Sequence, residues 1–345
     1  MKKIDKIVNI SSGIPLVSIC IPTFNNANFI SSTLDSIINQ TYKNIEIIVV
    51  DNASTDNTKE IVESYSDKRI SYHRNLETIH CLSNWNLCIE LAQSDFVAIY
   101  HSDDIYEPSI IEKELGVLKN KPEIGAVFCL DNIIDENGRY VRPGAKYPSY
   151  LSKINSIGFE ELFPLMLKEF PSFLIAPTFM ARRNIFENVG LFNTKQFGAS
   201  TGSAGDTDLW LRISQKHDIA IINERLIQRR VSIHQGSNLY SISKVTRANH
   251  FSVLDNILET QFPVERVVDN ILRQYEFNKF IDDIIRSKNM IKQGDRQKAR
   301  RLLVNTLSFM TLVTVFNNIP NLKFILKYII HLLSTFFNFK KPHDK

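Results

Sequence analysis

Apolar residues along the chain fall into two alternating patterns, short continuous runs and longer stretches with helical spacing. "LVSICIPTFN" (16–25) reads as a strand, and in 28–40 Ile30, Leu34, Ile37 and Ile38 share one helical face that Asn28 is placed to cap. "IEIIVVDNASTDNT" (45–58) predicts a second strand whose polar continuation opens another helix, and "ISYHR" (70–74) a third strand. Leu82, Trp85, Ile89 and Ala92 mark the buried stripe of the next helix, and 96–100 is a fourth apolar run. Pro108 suits the first position of a helix carrying Ile111, Leu115 and Leu118, and "IGAVFCL" (124–130) is a fifth strand.

Strands that are apolar on both faces belong in a largely parallel sheet between helix layers, so the pattern predicts a doubly wound α/β fold. Such sheets bind ligands at the carboxyl ends of their strands. Asp51, Arg74, Asp103 and Asp104 all fall just past predicted strand ends. The sequence has no GxGxxG after the first strand and no GxxxxGK[ST], which removes the main signals of dinucleotide and P-loop phosphate binding. The adjacent carboxylates Asp103 and Asp104 keep a phosphate ligand in view, because Mg²⁺ and Mn²⁺ are held by one or two carboxylates together with phosphate oxygens.

The chain has 345 residues, 43% hydrophobic and 23% charged, which is ordinary for a globular protein. Its four cysteines form no CxxC pair and no zinc-ligand spacing, and no apolar run of signal-peptide length follows the N-terminal lysines, so a reduced cytosolic chain is expected. The net charge of +4 is unevenly placed. From residue 291 onward ten Lys/Arg face two Asp/Glu, a balance of +8, which leaves 31 Lys/Arg against 35 Asp/Glu, or −4, in the first 290 residues. A basic tail on a mildly acidic body argues against a nucleic-acid partner, which calls for a basic working domain.

Four segments in order, "VSICIPTFN", "EIIVVDNASTDNT", "SDFVAIYHSDD" and "GDTDLWLR", resemble the inverting family 2 glycosyltransferases over roughly residues 15–235. The resemblance implies a GT-A fold, a doubly wound, nucleotide-diphospho-sugar transferase-like mixed sheet, here with a C-terminal helical extension over 236–345. Asp103 and Asp104 match the family's DXD-type element. This implies that Asp103 meets the ribose or a metal-bound water, while Asp104 binds the Mn²⁺ or Mg²⁺ that bridges the donor diphosphate. His101 stands where the commonest form of that motif has its first Asp, and is expected to pack or hydrogen-bond. The resemblance also places Pro22, Thr23, Phe24 and Asn25 at the nucleotide, with Phe24 stacking on the base. Asp51 is implied to accept the N3–H of uracil or thymine, and Arg74 to contact base or diphosphate.

Asp206 matches the general base that takes the proton of an acceptor hydroxyl; read from the sequence alone, it is also an N-cap after the Gly/Ser-rich segment 197–205. Asp208, two residues on, is the weaker candidate for that base. His234 resembles the histidine that completes the metal site, although Ser232 stands where the family has an arginine, which shifts that role toward Arg229 or Arg230.

Two apolar stretches, 302–315 and 322–337, lie in the basic tail. Lys323, Lys327 and His331 recur at helical spacing in the second, which suits an interfacial helix on a membrane rather than a spanning one. The expectation is a cytoplasmic enzyme peripheral on the inner face of the cell membrane. It would move a sugar from a UDP- or dTDP-sugar to a glycan or lipid-linked acceptor in surface polysaccharide synthesis. The alternative is a non-catalytic nucleotide-sugar-binding scaffold subunit, which would have little reason to keep both Asp104 and Asp206. A nucleotidyltransferase lacks its Gly-rich phosphate loop here.

Overall fold

A computed structural model describes residues 13–147, 156–169, 173–197, 204–231, 245–262 and 264–306. The first half alternates as the apolar pattern predicts: β1 (Val17–Thr23), α1 (Ile30–Ile38), β2 (Ile45–Asp51), α2 (Thr58–Glu63), β3 (Ile70–Arg74), α3 (Cys81–Leu91) and β4 (Phe96–Ile99). Then come β5 (Ile105–Tyr106), α4 (Ile110–Asn120), β6 (Ile124–Ile134), β7 (Tyr140–Pro143) and β8 (Ser156–Ile157). They are followed by α5 (Phe159–Glu169), β9 (Phe179–Arg182), α6 (Ile185–Val189), α7 (Thr194–Phe197), α8 (Ala204–Ser214) and β10 (Asp218–Arg230).

The strands form one ten-stranded sheet in the order β3-β2-β1-β4-β9-β6-β10-β5, with β7 on β6 and β8 on β10. The block β3-β2-β1-β4 is parallel. β9 enters antiparallel between β4 and β6, while β6 and β10 pair in parallel, so the sheet is mixed. Alternation along each central strand feeds two cores. Val17, Ile19, Ile21, Ile47, Val49 and Ala98 face α1, α2 and α4. Cys20, Ile48, Val50, Val97 and Ile99 face the other side, with α3, α5 and α8.

Two helix starts differ from the sequence expectation. α1 begins at Ile30 behind Phe29, with no side-chain cap, rather than at Asn28. α4 begins at Ile110, and Pro108 lies in the turn ahead of it. β5 and β9 carry no pattern of their own, being two and four residues long.

Past β10, the helix Asn249–Thr260 lays Phe251, Leu254 and Ile257 into the same core as α5 and α8, and Tyr275 of the helix Asp269–Lys292 joins it. Apolar packing is therefore continuous across the boundary expected at residue 235. No helix among the described residues is long and apolar enough to cross a membrane. The stretch 307–345, with most of the expected interfacial tail, lies outside the described residues, as does His234.

Candidate active site

Of the predicted nucleotide residues, Pro22 to Asn25, Asp51 and Arg74 gather at the carboxyl ends of β1, β2 and β3, and Asp103 follows β4. Two loops interlock there through hydrogen bonds that the short polar side chains of 52–58 supply. The Asn25 N–H donates to Ser54 Oγ (2.8 Å) and the Thr55 N–H to Asn25 Oδ1 (2.7 Å). The Asn26 N–H donates to Thr58 Oγ1 (2.9 Å) and the Ala27 N–H to Asp56 Oδ2 (3.0 Å). Asn25 (φ 50°) and Ala53 (φ 63°) adopt left-handed backbone conformations, which the chain tolerates only where its surroundings hold them. The result is a rigid ledge from which Phe24 projects, 48% exposed. Pro22 and Thr23 are buried in β1 against Val50 and Asp51.

Asp51 closes β2 at its carboxyl end. It is fully enclosed, with Oδ1 accepting the Ser54 N–H (2.8 Å) and Oδ2 the Tyr72 hydroxyl (2.5 Å). Arg74 lies over it, Nε 3.9 Å from Oδ2, and donates to the Ser54 carbonyl at 2.7 Å. These contacts shape the 51–54 loop and hold Arg74, which is partly exposed, over the carboxylate.

The acidic loop follows β4, the neighbour of β1, and a 2.5 Å hydrogen bond from Asn26 Nδ2 to Ser102 Oγ joins it to the ledge of 24–27. Ligand atoms of His101, Asp103 and Asp104 all lie within 4.8 Å of one another. Asp104 is buried. Its Oδ1 accepts the Arg230 N–H at 2.8 Å, and its Oδ2 has no partner. Burial, reinforced by the adjacent Asp103 charge, pushes the Asp104 carboxyl well above the usual range. His101 packs on Trp85, ring centroids 5.1 Å apart, while burial lowers its pKa and so favours the neutral imidazole that a cation requires. Beside this packing, one ring nitrogen of His101 lies within reach of the carboxylates, and its buried Nε2 has no hydrogen-bond partner.

Among the described residues, four buried side-chain polar atoms lack a hydrogen-bond partner, and three of them, on Thr23, His101 and Asp104, sit at these strand ends. A buried polar atom without a partner is costly, so three together describe a place built for a polar ligand. Two carboxylates and one neutral imidazole suit Mn²⁺ or Mg²⁺ with phosphate oxygens and water completing the shell.

Asp206 lies in the first turn of α8, third from its start, rather than at the N-cap. Gly205 lets this turn press on α3: a Cβ there would stand 2.5 Å from Leu82 Cδ1. Trp85, against His101, follows Leu82 by three residues, roughly 4.5 Å along the helix axis. The first turns of α3 therefore bridge Asp206 and the acidic loop. Among the described residues no hydrogen bond reaches the Asp206 carboxylate, and burial alone raises its pKa from 3.8 to about 7. Asp208 is instead taken up by Arg212 at 2.7 Å.

At the end of β10, Arg229 Nε binds Asp131 Oδ2 (2.8 Å), and Arg230 is buried against the acidic loop. Sequence reasoning placed these arginines only as stand-ins near His234, because the contact that matters for Arg230 is a backbone one. It also passed over Asn26 and Tyr106.

The sequence model described as glycosyl transferase family 2 matches residues 18–190. The chain belongs to glycosyl transferase family 2. An uncharacterized glycosyltransferase of Rickettsia typhi is 33% identical over 230 residues, 65% of this chain and 66% of that protein. One from Rickettsia felis is 34% identical over 69% of this chain and 38% of its own length. The chain thus spans just under two thirds of the first relative and far less of the second. Chondroitin synthase of Pasteurella multocida is 25% identical over 83% of this chain and 29% of its own. Among solved structures, S. aureus TarS 1-349 superposes with a TM-score of 0.55 at 15% identity, covering 95% of this chain and 93% of TarS. The same TarS piece with UDP-GlcNAc gives 0.54 at 16% identity, covering 84% and 83%. The family and this likeness make the mixed sheet a GT-A fold.

Proposed function

We propose that the protein transfers a sugar, with inversion, from a UDP- or dTDP-sugar to a hydroxyl of a glycan or lipid-linked acceptor. The observation that carries the reading is the unpartnered, buried Oδ2 of Asp104 beside His101 and Asp103, with an ionisable and unpaired Asp206 across the first turns of α3. The UDP-GlcNAc complex of TarS supports a uridine nucleotide sugar as the class of donor.

Asp103, Asp104 and His101, joined in this reading by His234, would hold Mn²⁺ or Mg²⁺, which when bound offsets the charge of the departing nucleoside diphosphate. Phe24 offers its exposed ring to the base, Pro22, Thr23 and Asn25 shape the ledge beneath it, Asp51 accepts the N3–H of uracil or thymine, and Arg74 contacts base or diphosphate. Asp206 accepts the acceptor hydroxyl's proton as the new glycosidic bond forms on the face opposite the diphosphate. A pKa near 7 keeps a useful fraction of Asp206 ionised at neutral pH while making it a stronger base than an exposed aspartate. The basic tail suggests a peripheral membrane position, where a lipid-linked acceptor is met.

Purified protein incubated with a panel of nucleotide sugars, with Mn²⁺ or EDTA, tests this. Metal-dependent release of nucleoside diphosphate from one UDP- or dTDP-sugar, accelerated by an acceptor, is expected. Binding of a nucleotide sugar with no release under any acceptor would instead favour the scaffold reading.

A further inference from the structure

The loop that carries His101, Asp103 and Asp104, residues 100–104, is only five residues long, and buried hydroxyls hold its backbone at His101 and at Asp104. At the start, the His101 N–H donates to Tyr106 Oη at 2.7 Å. At the end, Thr33 Oγ1 of α1 donates to the Asp104 carbonyl at 2.7 Å. Tyr106 is held in turn. Its ring stacks on Tyr100 at 4.0 Å and 9°, and its own N–H donates to Ser36 Oγ at 3.1 Å. Tyr100 donates to Glu114 Oε2 at 2.8 Å; Glu114 is wholly buried in α4, and burial pushes its pKa well above the usual range.

Both hydroxyls bond to the backbone of the loop. Each fixes a peptide group, and the peptides set where the three ligand atoms point. Deleting a hydroxyl leaves the ring, the methyl group and the apolar packing in place, so its effect on the loop separates from its effect on the fold.

We propose that Tyr106 and Thr33 are positioning residues for the divalent-cation site, pre-forming the His101–Asp103–Asp104 constellation before donor arrives. This rests on the metal-site reading above. Ligand constellations work only when their supporting groups hold them within fractions of an ångström, and loss of such a support typically weakens metal binding about 10- to 100-fold.

The test uses the full chain stripped of metal and titrated with Mn²⁺, alone and with UDP, reading free Mn²⁺ by electron paramagnetic resonance. Y106F and T33V should each raise the Mn²⁺ dissociation constant about tenfold. T33S, which keeps the hydroxyl, should restore it. Hydrogen exchange at the His101 amide should quicken in Y106F, with Tm lowered by no more than the loss of one hydrogen bond entails. Parent-like Mn²⁺ affinity in both Y106F and T33V, with D104A abolishing binding, would overturn the positioning role and leave the metal site standing. If the parent binds no Mn²⁺, or D104A binds it equally well, the metal reading and this inference fall together.

Discussion

The backbone N–H of Arg230 donates to Oδ1 of Asp104 at 2.8 Å, across 126 residues of sequence. The same arginine reaches back with Nε to the Asp103 carbonyl (2.9 Å) and with its terminal nitrogen to the carbonyls of Asp135 and Glu136, and its guanidinium lies 4.6 Å over the Phe29 ring. One residue at the end of β10 therefore joins the acidic loop, the β6–β7 turn and the ledge of α1. It occupies one carboxylate oxygen and leaves the other free.

Asp104→Asn should separate function from stability. The amide oxygen can still accept the Arg230 N–H, while the buried charge that opposes folding is gone. We expect Tm equal to or above that of the parent and metal-dependent turnover lower by about 100-fold or more. Thermal melts and Mn²⁺-dependent donor turnover check this; full retention of Mn²⁺ dependence would move the cation elsewhere.

Asp206→Asn should leave donor affinity intact and lower transfer by about 10²- to 10⁴-fold. The pH dependence has a defined sign. In the parent, kcat/KM should climb with pH and level off above about 7, as Asp206 loses its proton. Stability runs the other way: the folded pKa is raised above the unfolded one, so stability falls as pH rises from about 4 to about 7. The Asn variant should flatten both profiles, measured by pH–rate curves and by urea melts at several pH values.

Phe24→Ala tests the stacking role. The ring is half exposed, so stability should move by no more than about 0.5 kcal/mol. Loss of a base–aromatic stack costs about 1–3 kcal/mol, so nucleotide affinity should fall roughly 5- to 150-fold. Calorimetric titration with UDP and dTDP reads it directly.

Gly205→Ala probes the α3–α8 contact. The new Cβ would meet the Leu82 side chain at 2.5 Å, and such overpacking typically costs about 1–3 kcal/mol. Because Asp206 is the next residue, kcat should drop along with stability. Adding Leu82→Ala should make room for the methyl group and recover part of the kcat. A double variant no more active than G205A would mean that the turn is not what places Asp206.

The strand–helix alternation of the first 134 residues was legible because those strands are apolar on both faces; Asp51, Arg74, Asp103 and Asp104 were marked by strand ends, and Pro22 to Asn25 by the family resemblance. β10 was not legible. Its apolar run 219–222 is broken by Asn223 and Glu224, where the ladder with β6 shifts register, so no single period spans it. β9 was hidden because four residues carry too little pattern to outweigh their surroundings. Thr33 and Glu114 were detectable in principle, each a polar residue inside an otherwise apolar helical stripe. The enclosure of Asp51 was not, since it depends on Tyr72 arriving from a neighbouring strand.

Removal of 307–345 should shift the protein from membrane to soluble fractions without changing donor turnover in detergent. Sedimentation with anionic vesicles checks this, and undiminished vesicle binding by the shortened chain would remove the tail from the account.

Phe251, Leu254, Ile257 and Tyr275 close the apolar face that α5 and α8 present. The sheet and the first helices after it thus share one apolar core. A chain ended at residue 235 would leave that face wet, next to the helix that carries Asp206. A fragment that keeps this core covered extends at least through Tyr275, and a graft of residues 15–235 onto another glycosyltransferase would expose that face unless these helices came with it.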